Sequence, residues 1–163
     1  MWDDKAGIFL NKRLDSNISS NRLSPTNFYP LLANVCTDEQ VARMMKEHYF
    51  NPKEFYGDYV IPSISRNDPA FADNDYWRGR IWGPMNFLVY MGMKNYPAAD
   101  SARKDLVEKS KRLLMKNLEK DGGVYENYNS VTGEAGDVNS ADGFYHWGAL
   151  LTFIGLIENG YMK

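Results

Sequence analysis

A chain of 163 residues with 44% hydrophobic, 25% charged and 14% aromatic residues is too apolar for a disordered segment, and its length fits one domain, residues 1–163, with a sizeable core. Nineteen basic against 21 acidic residues give a net charge of −2 with no Lys/Arg block, which argues against nucleic acid or an anionic membrane surface as partner. The single cysteine, Cys36, excludes an internal disulfide, and without a CxxC pair or a Cys/His cluster no metal site and no cofactor is expected.

The start, Met1-Trp2-Asp3-Asp4, has neither the basic residues nor the apolar run of a leader peptide, and no apolar stretch approaches the roughly 18 residues of a membrane span. A cytoplasmic protein is the expectation. Asp4-Lys5-Ala6-Gly7 before Ile8, Phe9 and Leu10 reads as a short turn with an extended arm, and the polar run to Ser24 carries no long helical period. Thr37-Asp38-Glu39-Gln40 is a capping box, in which the threonine and glutamine side chains satisfy free amides at a helix start. Val41, Met44, Met45 and His48 follow at i, i+3, i+4 and i+7, so this helix is amphipathic and His48 is structural.

Residues 51–74 contain three prolines and many Tyr, Asp, Asn and Ser residues, the composition of a long ordered loop that carries function. Pro84 opens a helix in which Phe87, Leu88, Val89, Tyr90, Met91 and Met93 leave hardly any polar face. The helix from about Pro97 to Leu118 is amphipathic: Ala99, Ala102, Leu106 and Leu113 form one stripe with Leu114 and Leu118 beside it, and Arg103, Lys104, Glu108, Lys111 and Lys116 cover the rest. After Asp121-Gly122-Gly123 comes an irregular stretch to Asp142, then a helix from about Phe144 to Glu158 that is apolar on most sides and ends at Asn159-Gly160.

The protein is therefore all-α, in the order amphipathic, apolar, amphipathic, apolar. Short links join apolar to amphipathic helices, and long aromatic loops lead into the apolar ones. A partial (α/α)6 toroid of alternating outer and inner helices shows that order, and so does a four-helix bundle; periodicity favours neither, although a bundle does not account for the long loops.

Three segments concentrate chemistry just before or at the start of an apolar helix: Tyr76-Trp77-Arg78-Gly79-Arg80-Ile81-Trp82-Gly83-Pro84, Tyr125-Glu126-Asn127-Tyr128-Asn129 with Thr132-Gly133, and Phe144-Tyr145-His146-Trp147. Rings beside carboxylate, guanidinium and amide groups suit a sugar, whose apolar faces stack on rings while its hydroxyls take hydrogen bonds. On composition alone, Trp77, Trp82 and Trp147 as core anchors with polar caps explain the same residues.

The run YWRGRIWGPMNFLVYMGMKNY, the helix after it, GGVYENYNSVTGEAG and FYHWGALLTFIGLIE resemble, in order and spacing, the C-terminal half of the catalytic domain of glycoside hydrolase family 63, with weaker similarity to trehalases and to glucosylglycerate or mannosylglycerate hydrolases. Trp2-Asp3 with Gly7 and Phe9, and Tyr59-Val60-Ile61-Pro62-Ser63, resemble two further family stretches. The resemblance covers nearly all of this chain but only part of a family domain.

It implies an (α/α)6 toroid and inverting hydrolysis of α-glucosidic bonds in oligosaccharides or glucosides by two carboxyl groups about 6.5 to 9.5 Å apart. Glu126 matches the general base. The general acid lies upstream of the Trp-Asp stretch in the family, so neither Asp3 nor Asp4 is assigned to it, and it is missing from this chain. Trp77, Arg78, Trp82, Asn127, Tyr145 and Trp147 are the implied substrate-binding residues, with Asn86 as a supporting donor. Arg78 as a clamp on a carboxylate and Trp82 as a wall residue are the structural alternatives. His146 reads as a wall residue and Glu134 as a surface loop charge. The expected partners are a carbohydrate substrate and either a second copy, forming a homo-oligomer, or a complementary half-domain. The rival reading is a non-catalytic carbohydrate-binding module or an inactive fragment that assembles with a partner half.

Overall fold

The computed structural model describes residues 1–143 and 146–162. The chain starts as a small hairpin, β1 (Trp2–Asp3) antiparallel to β2 (Ile8–Phe9), closed by the Asp4–Gly7 turn. A short 3₁₀ helix over Pro25–Leu31 follows, with Phe28 and Leu31 fully buried against the helix named α2 below. Its brevity and the internal Pro30 hide it from any helical period.

Helix α1 (Asp38–Met44) starts as the capping box requires: Gln40 N donates to Thr37 Oγ1 at 3.2 Å and Thr37 N to Gln40 Oε1 at 3.0 Å. It runs on through one wider π turn over Met45–Tyr49. Helix α2 (Gly83–Met93) has Pro84 in its first turn. Helix α3 (Asp100–Asp121) follows a 3₁₀ turn over Pro97–Ala99 and stops where Gly122, at φ +70°, takes the left-handed conformation that lets its amide reach the Leu118 carbonyl. Its inward stripe holds Ala102, Leu106, Leu113 and Leu114, while Leu118 is exposed. Helix α4 spans His146–Glu158.

α2 lies against α4, and α3 packs on both. The two apolar helices are less covered than their sequences imply: on α2 Phe87 and Met91 are half-buried and Leu88 is exposed, and on α4 Ala149, Leu150, Phe153, Leu156 and Ile157 are half-buried. Each presents one flank to a neighbour among the described residues and leaves another open. None of the described helices is long and apolar enough to cross a membrane.

His48 ties the hairpin to α1 and the loop beyond it. Its Nδ1 is 2.6 Å from Glu54 Oε2, and its Nε2 is 2.8 Å from the Ala6 carbonyl oxygen. A carbonyl only accepts, so Nε2 carries a hydrogen, and a proton on Nδ1 completes the contact with the carboxylate. Burial opposes the charged ring, but the Glu54 hydrogen bond and charge, the Ala6 carbonyl and the Glu47 charge together outweigh it, and the His48 pKa is raised. The folded state therefore holds this proton more tightly than the unfolded chain. Its stabilisation is complete below the unfolded value near about 6.5 and is lost as pH rises through the folded value. Urea unfolding across this range should show a midpoint that declines with rising pH in the native protein and loses this component in His48→Gln; identical profiles would contradict the assignment.

Candidate active site

The loop before α2 is fixed by one buried amide. Asn86, in the first turns of α2, accepts from Ile61 N at 3.0 Å through Oδ1 and donates from Nδ2 to the Ile61 and Trp82 carbonyls at 2.9 and 3.0 Å. It pins the Tyr59–Ser63 stretch to the helix and has no free amide for a ligand. Strand β3 (Ile81–Trp82) then pairs antiparallel with β4 (Asn127–Tyr128), Ile81 opposite Tyr128 and Trp82 opposite Asn127. This rung brings the first and second motif segments together.

Two glycines bring in the third. A Cβ on Gly83 would meet the Trp147 carbonyl oxygen at 2.2 Å, and a Cβ on Gly148 would meet that of Tyr125 at 2.0 Å. Only a residue without a side chain lets these backbones meet.

Trp77, Trp82 and Trp147 form one aromatic cluster. Trp82 is fully buried and its Nε1 donates to the Tyr76 carbonyl at 2.9 Å. Trp77 lies on it with centroids 3.7 Å apart and planes 16° from parallel, and Trp147 leans on it at 5.5 Å and 60°. Trp77 is 43% exposed, so a buried indole backs an open one. Tyr76 sits at φ +45°, a strained conformation for a bulky residue, held in part by the Trp82 hydrogen bond to its carbonyl.

Glu126, next to the rung, is 8% exposed, and its amide donates to the Asp142 carbonyl at 2.9 Å. No hydrogen bond from the described residues reaches its carboxyl group. Burial, and secondarily the Asp142 charge, push its pKa up. The result is a largely covered carboxyl group with no cation partner among the described residues, a group with raised proton affinity.

The remaining residues fall into distinct settings. Arg78 closes the turn around it, bonded to Asp73 at 2.8 Å and Asp75 at 3.2 Å. Asn127 is fully buried: its Oδ1 accepts from Arg80 and its Nδ2 donates to the Ser140 carbonyl. Glu134 is held by Lys116 and Lys120, which lower its pKa. Trp147 is half-buried and His146 exposed, while Tyr145 lies outside the described residues. A cleft of about 340 Å³ lined by Lys120, Asp121, Tyr125, Glu134, Gly136 and Asp137 reaches the neighbour of Glu126 but not Glu126 itself. A larger hollow of about 470 Å³, lined by residues such as Met93, Tyr96 and Arg103, lies at the far end of α2 from the tryptophans. The sequence reading missed Arg80, which is fully buried; it stands at the variable position of the YWRG-x-IW segment, where no local signal marks burial.

Known structures define the class first. The GH63 mannosylglycerate hydrolase from Thermus thermophilus in complex with Tris superposes with a TM-score of 0.74 and 25% identity over 94% of this chain and 34% of that one. Neutral trehalase Nth1 from Saccharomyces cerevisiae gives 0.73 and 18% identity over 100% and 28%. The four helices are thus part of an (α/α)6 toroid, with α2 and α4 inner and α1 and α3 outer, and the bundle alternative falls. The model of the mannosylglycerate hydrolase MGH1-like glycoside hydrolase domain matches residues 1–148, and the chain belongs to this family, within glycoside hydrolase family 63. The chain is similar to mannosylglycerate hydrolase MGH1 of Selaginella moellendorffii, 29% identical over 97% of this chain and 30% of the relative. It is also similar to the mannosyl-oligosaccharide glucosidase of Saccharomyces cerevisiae, 32% identical over 71% and 15%. The chain spans about a third or less of the length of these relatives.

The glycine contacts generate a paired prediction. Gly148→Ala should destabilise the fold by about 2 to 3 kcal/mol, since its methyl group collides with backbone rather than with a movable side chain. Gly155→Ala in the same helix, with nothing within 4 Å of its Cβ, should be neutral or stabilising by up to about 1 kcal/mol. Denaturant melts of both variants check the contrast, and equal effects would mean that the α4 entrance does not press on Tyr125.

Proposed function

We propose that this chain provides the water-activating side of an inverting glycosidase site for α-glucosides or for the related mannosyl compounds that its relatives' names specify. The observation that carries the reading is Glu126: a largely covered carboxyl group with raised proton affinity, next to the rung that pairs Trp82 with Asn127. In this mechanism Glu126 takes a proton from water as the water attacks the anomeric carbon, on the sugar face opposite the leaving oxygen. A second carboxyl group, supplied by another segment or chain, protonates that oxygen, and the α-glycoside yields a β-sugar.

Trp77 offers its open face to a sugar ring, and Trp82 keeps it from turning. Trp147 contributes to the wall at the start of α4, and Tyr145 stays in the expected substrate-binding set. Arg78 and Asn127 belong to the expected substrate-binding set by residue type and placement; their observed partners support a role through the loops they brace. The open flanks of α2 and α4 support assembly, either with a second copy or with a complementary half-domain that brings the acid. The exposed Trp77 platform needs no acid and favours, as the second reading, a carbohydrate-binding module without turnover.

Glu126 works as a base only when deprotonated, so its raised pKa moves the acidic limb of the activity profile upward from the ordinary carboxylate range. NMR of the first product formed from an α-glucoside or mannosylglycerate, by the chain alone or with its complementary half, should show the β-anomer. Glu126→Gln should lower turnover by roughly 100-fold or more. An α-anomer as first product removes the inverting mechanism, and an unchanged rate in Glu126→Gln removes the base. Saturable quenching of tryptophan fluorescence without hydrolysis supports the binding module. Light scattering at low micromolar concentration should report an assembly, and a clean monomer contradicts self-association.

A further inference from the structure

Arg80 is a cation with no access to water, and each of its guanidinium nitrogens is used. Nε donates to Asn127 Oδ1. One terminal nitrogen reaches the Asn74 carbonyl at 3.4 Å and Asp137 Oδ2 at 3.3 Å; the other reaches Asp137 Oδ1 at 2.8 Å and the Ala135 carbonyl at 3.3 Å. This fork fit to a carboxylate is one a lysine cannot reproduce. Asp137 in turn accepts from Asn129 Nδ2 at 2.7 Å, and the Arg80 and Asn129 contacts hold its pKa down against burial.

The bonds converge on both sides of Glu126. Asn127, the next residue, passes the Arg80 contact to the Ser140 carbonyl at 2.6 Å. Ser140 Oγ donates to Asp75 at 3.0 Å, and two residues later the Asp142 carbonyl takes the Glu126 amide. The strand after Glu126 is thus anchored through Asn127, and the irregular segment facing it through Asp137 and Ser140.

We infer that the buried Arg80 and the partly exposed Asp137 form a clamp that positions the Glu126 carboxyl group, making Arg80 a positioning residue of the site. The inference rests on the general-base reading of Glu126, but the clamp can be measured without turnover. Its action is mechanical: it holds two facing segments so that the carboxyl group beside them stays largely covered. A guanidinium without its carboxylate is a buried unpaired charge, so the two partners act as a unit.

The test is a carbon-13 NMR titration of the Glu126 carboxyl in the full chain, assigned by its loss in Glu126→Gln. Native Glu126 should show a midpoint raised from its ordinary value, because burial and the Asp142 charge disfavour its ionised form. Removing the positive Arg80 and removing the negative Asp137 change the field at Glu126 in opposite senses, so only loss of position moves both midpoints the same way. In Arg80→Met and in Asp137→Asn the midpoint should fall toward the ordinary range. If Arg80→Met does not fold, Arg80→Lys keeps the charge, loses the fork and should show the same fall. Midpoints that move oppositely, or that stay put while thermal stability drops, overturn the clamp. If the midpoints fall together but Glu126→Gln keeps full turnover, the clamp stands and the general-base reading fails. If Glu126→Gln abolishes turnover while the clamp variants leave the midpoint unmoved, the reverse holds.

Discussion

The close passage of three backbones, Gly83 at the start of α2, Trp147-Gly148 at the start of α4 and the Tyr125 carbonyl, is the constraint on which the rest of the site depends. Nothing larger than hydrogen fits at Gly83 or Gly148, so two inner helices and the loop between them share one junction. Trp82 is enclosed because Trp147 arrives on one side as Trp77 covers the other. Glu126 is largely covered for the same reason: the segment that bears it lies between β3 and the α4 entrance. A shift of this junction would open the stack and rehydrate the carboxyl together.

Around that junction the polar groups divide by burial. Arg78, in the half-exposed turn, takes two surface carboxylates, an arrangement worth little energy individually. Arg80, two residues on, is sealed from solvent and must be fully bonded to be tolerated there. The same logic separates Glu134, neutralised by two lysines, from Glu126, which has no cation beside it among the described residues. Their sequence contexts are alike, and their proton affinities move in opposite directions.

What could be read from the sequence follows how local its physics is. The Thr37 cap, Pro84 in the first turn of α2 and the stop at Gly122 depend on neighbours a few residues away and were legible. The 3₁₀ helix over Pro25–Leu31 was not, because its buried face exists only against α2. Periodicity could not separate toroid from bundle, since both need alternating amphipathic and apolar helices; structural comparison did. Aromatic clustering marked three segments that the fold brings together, but the burial of Arg80 rather than Arg78 depends on contacts far along the chain, and no spacing within the motif encodes that. Asn127 and Asn86 show the same limit: both read as donors to a ligand, and both amides are engaged by the protein's own backbone or by Arg80.

The central claim is that one desolvated glutamate beside a tryptophan platform draws a proton from water at the anomeric carbon of a bound sugar. A crystal structure of the chain, with its complementary half if one is required, soaked with an unhydrolysable α-thioglycoside tests it most directly. The account predicts a sugar ring stacked on Trp77, with an ordered water between the Glu126 carboxyl and the face of the anomeric carbon opposite the sulfur. A sugar bound away from the tryptophans, or a Glu126 carboxyl turned from that water, would contradict it.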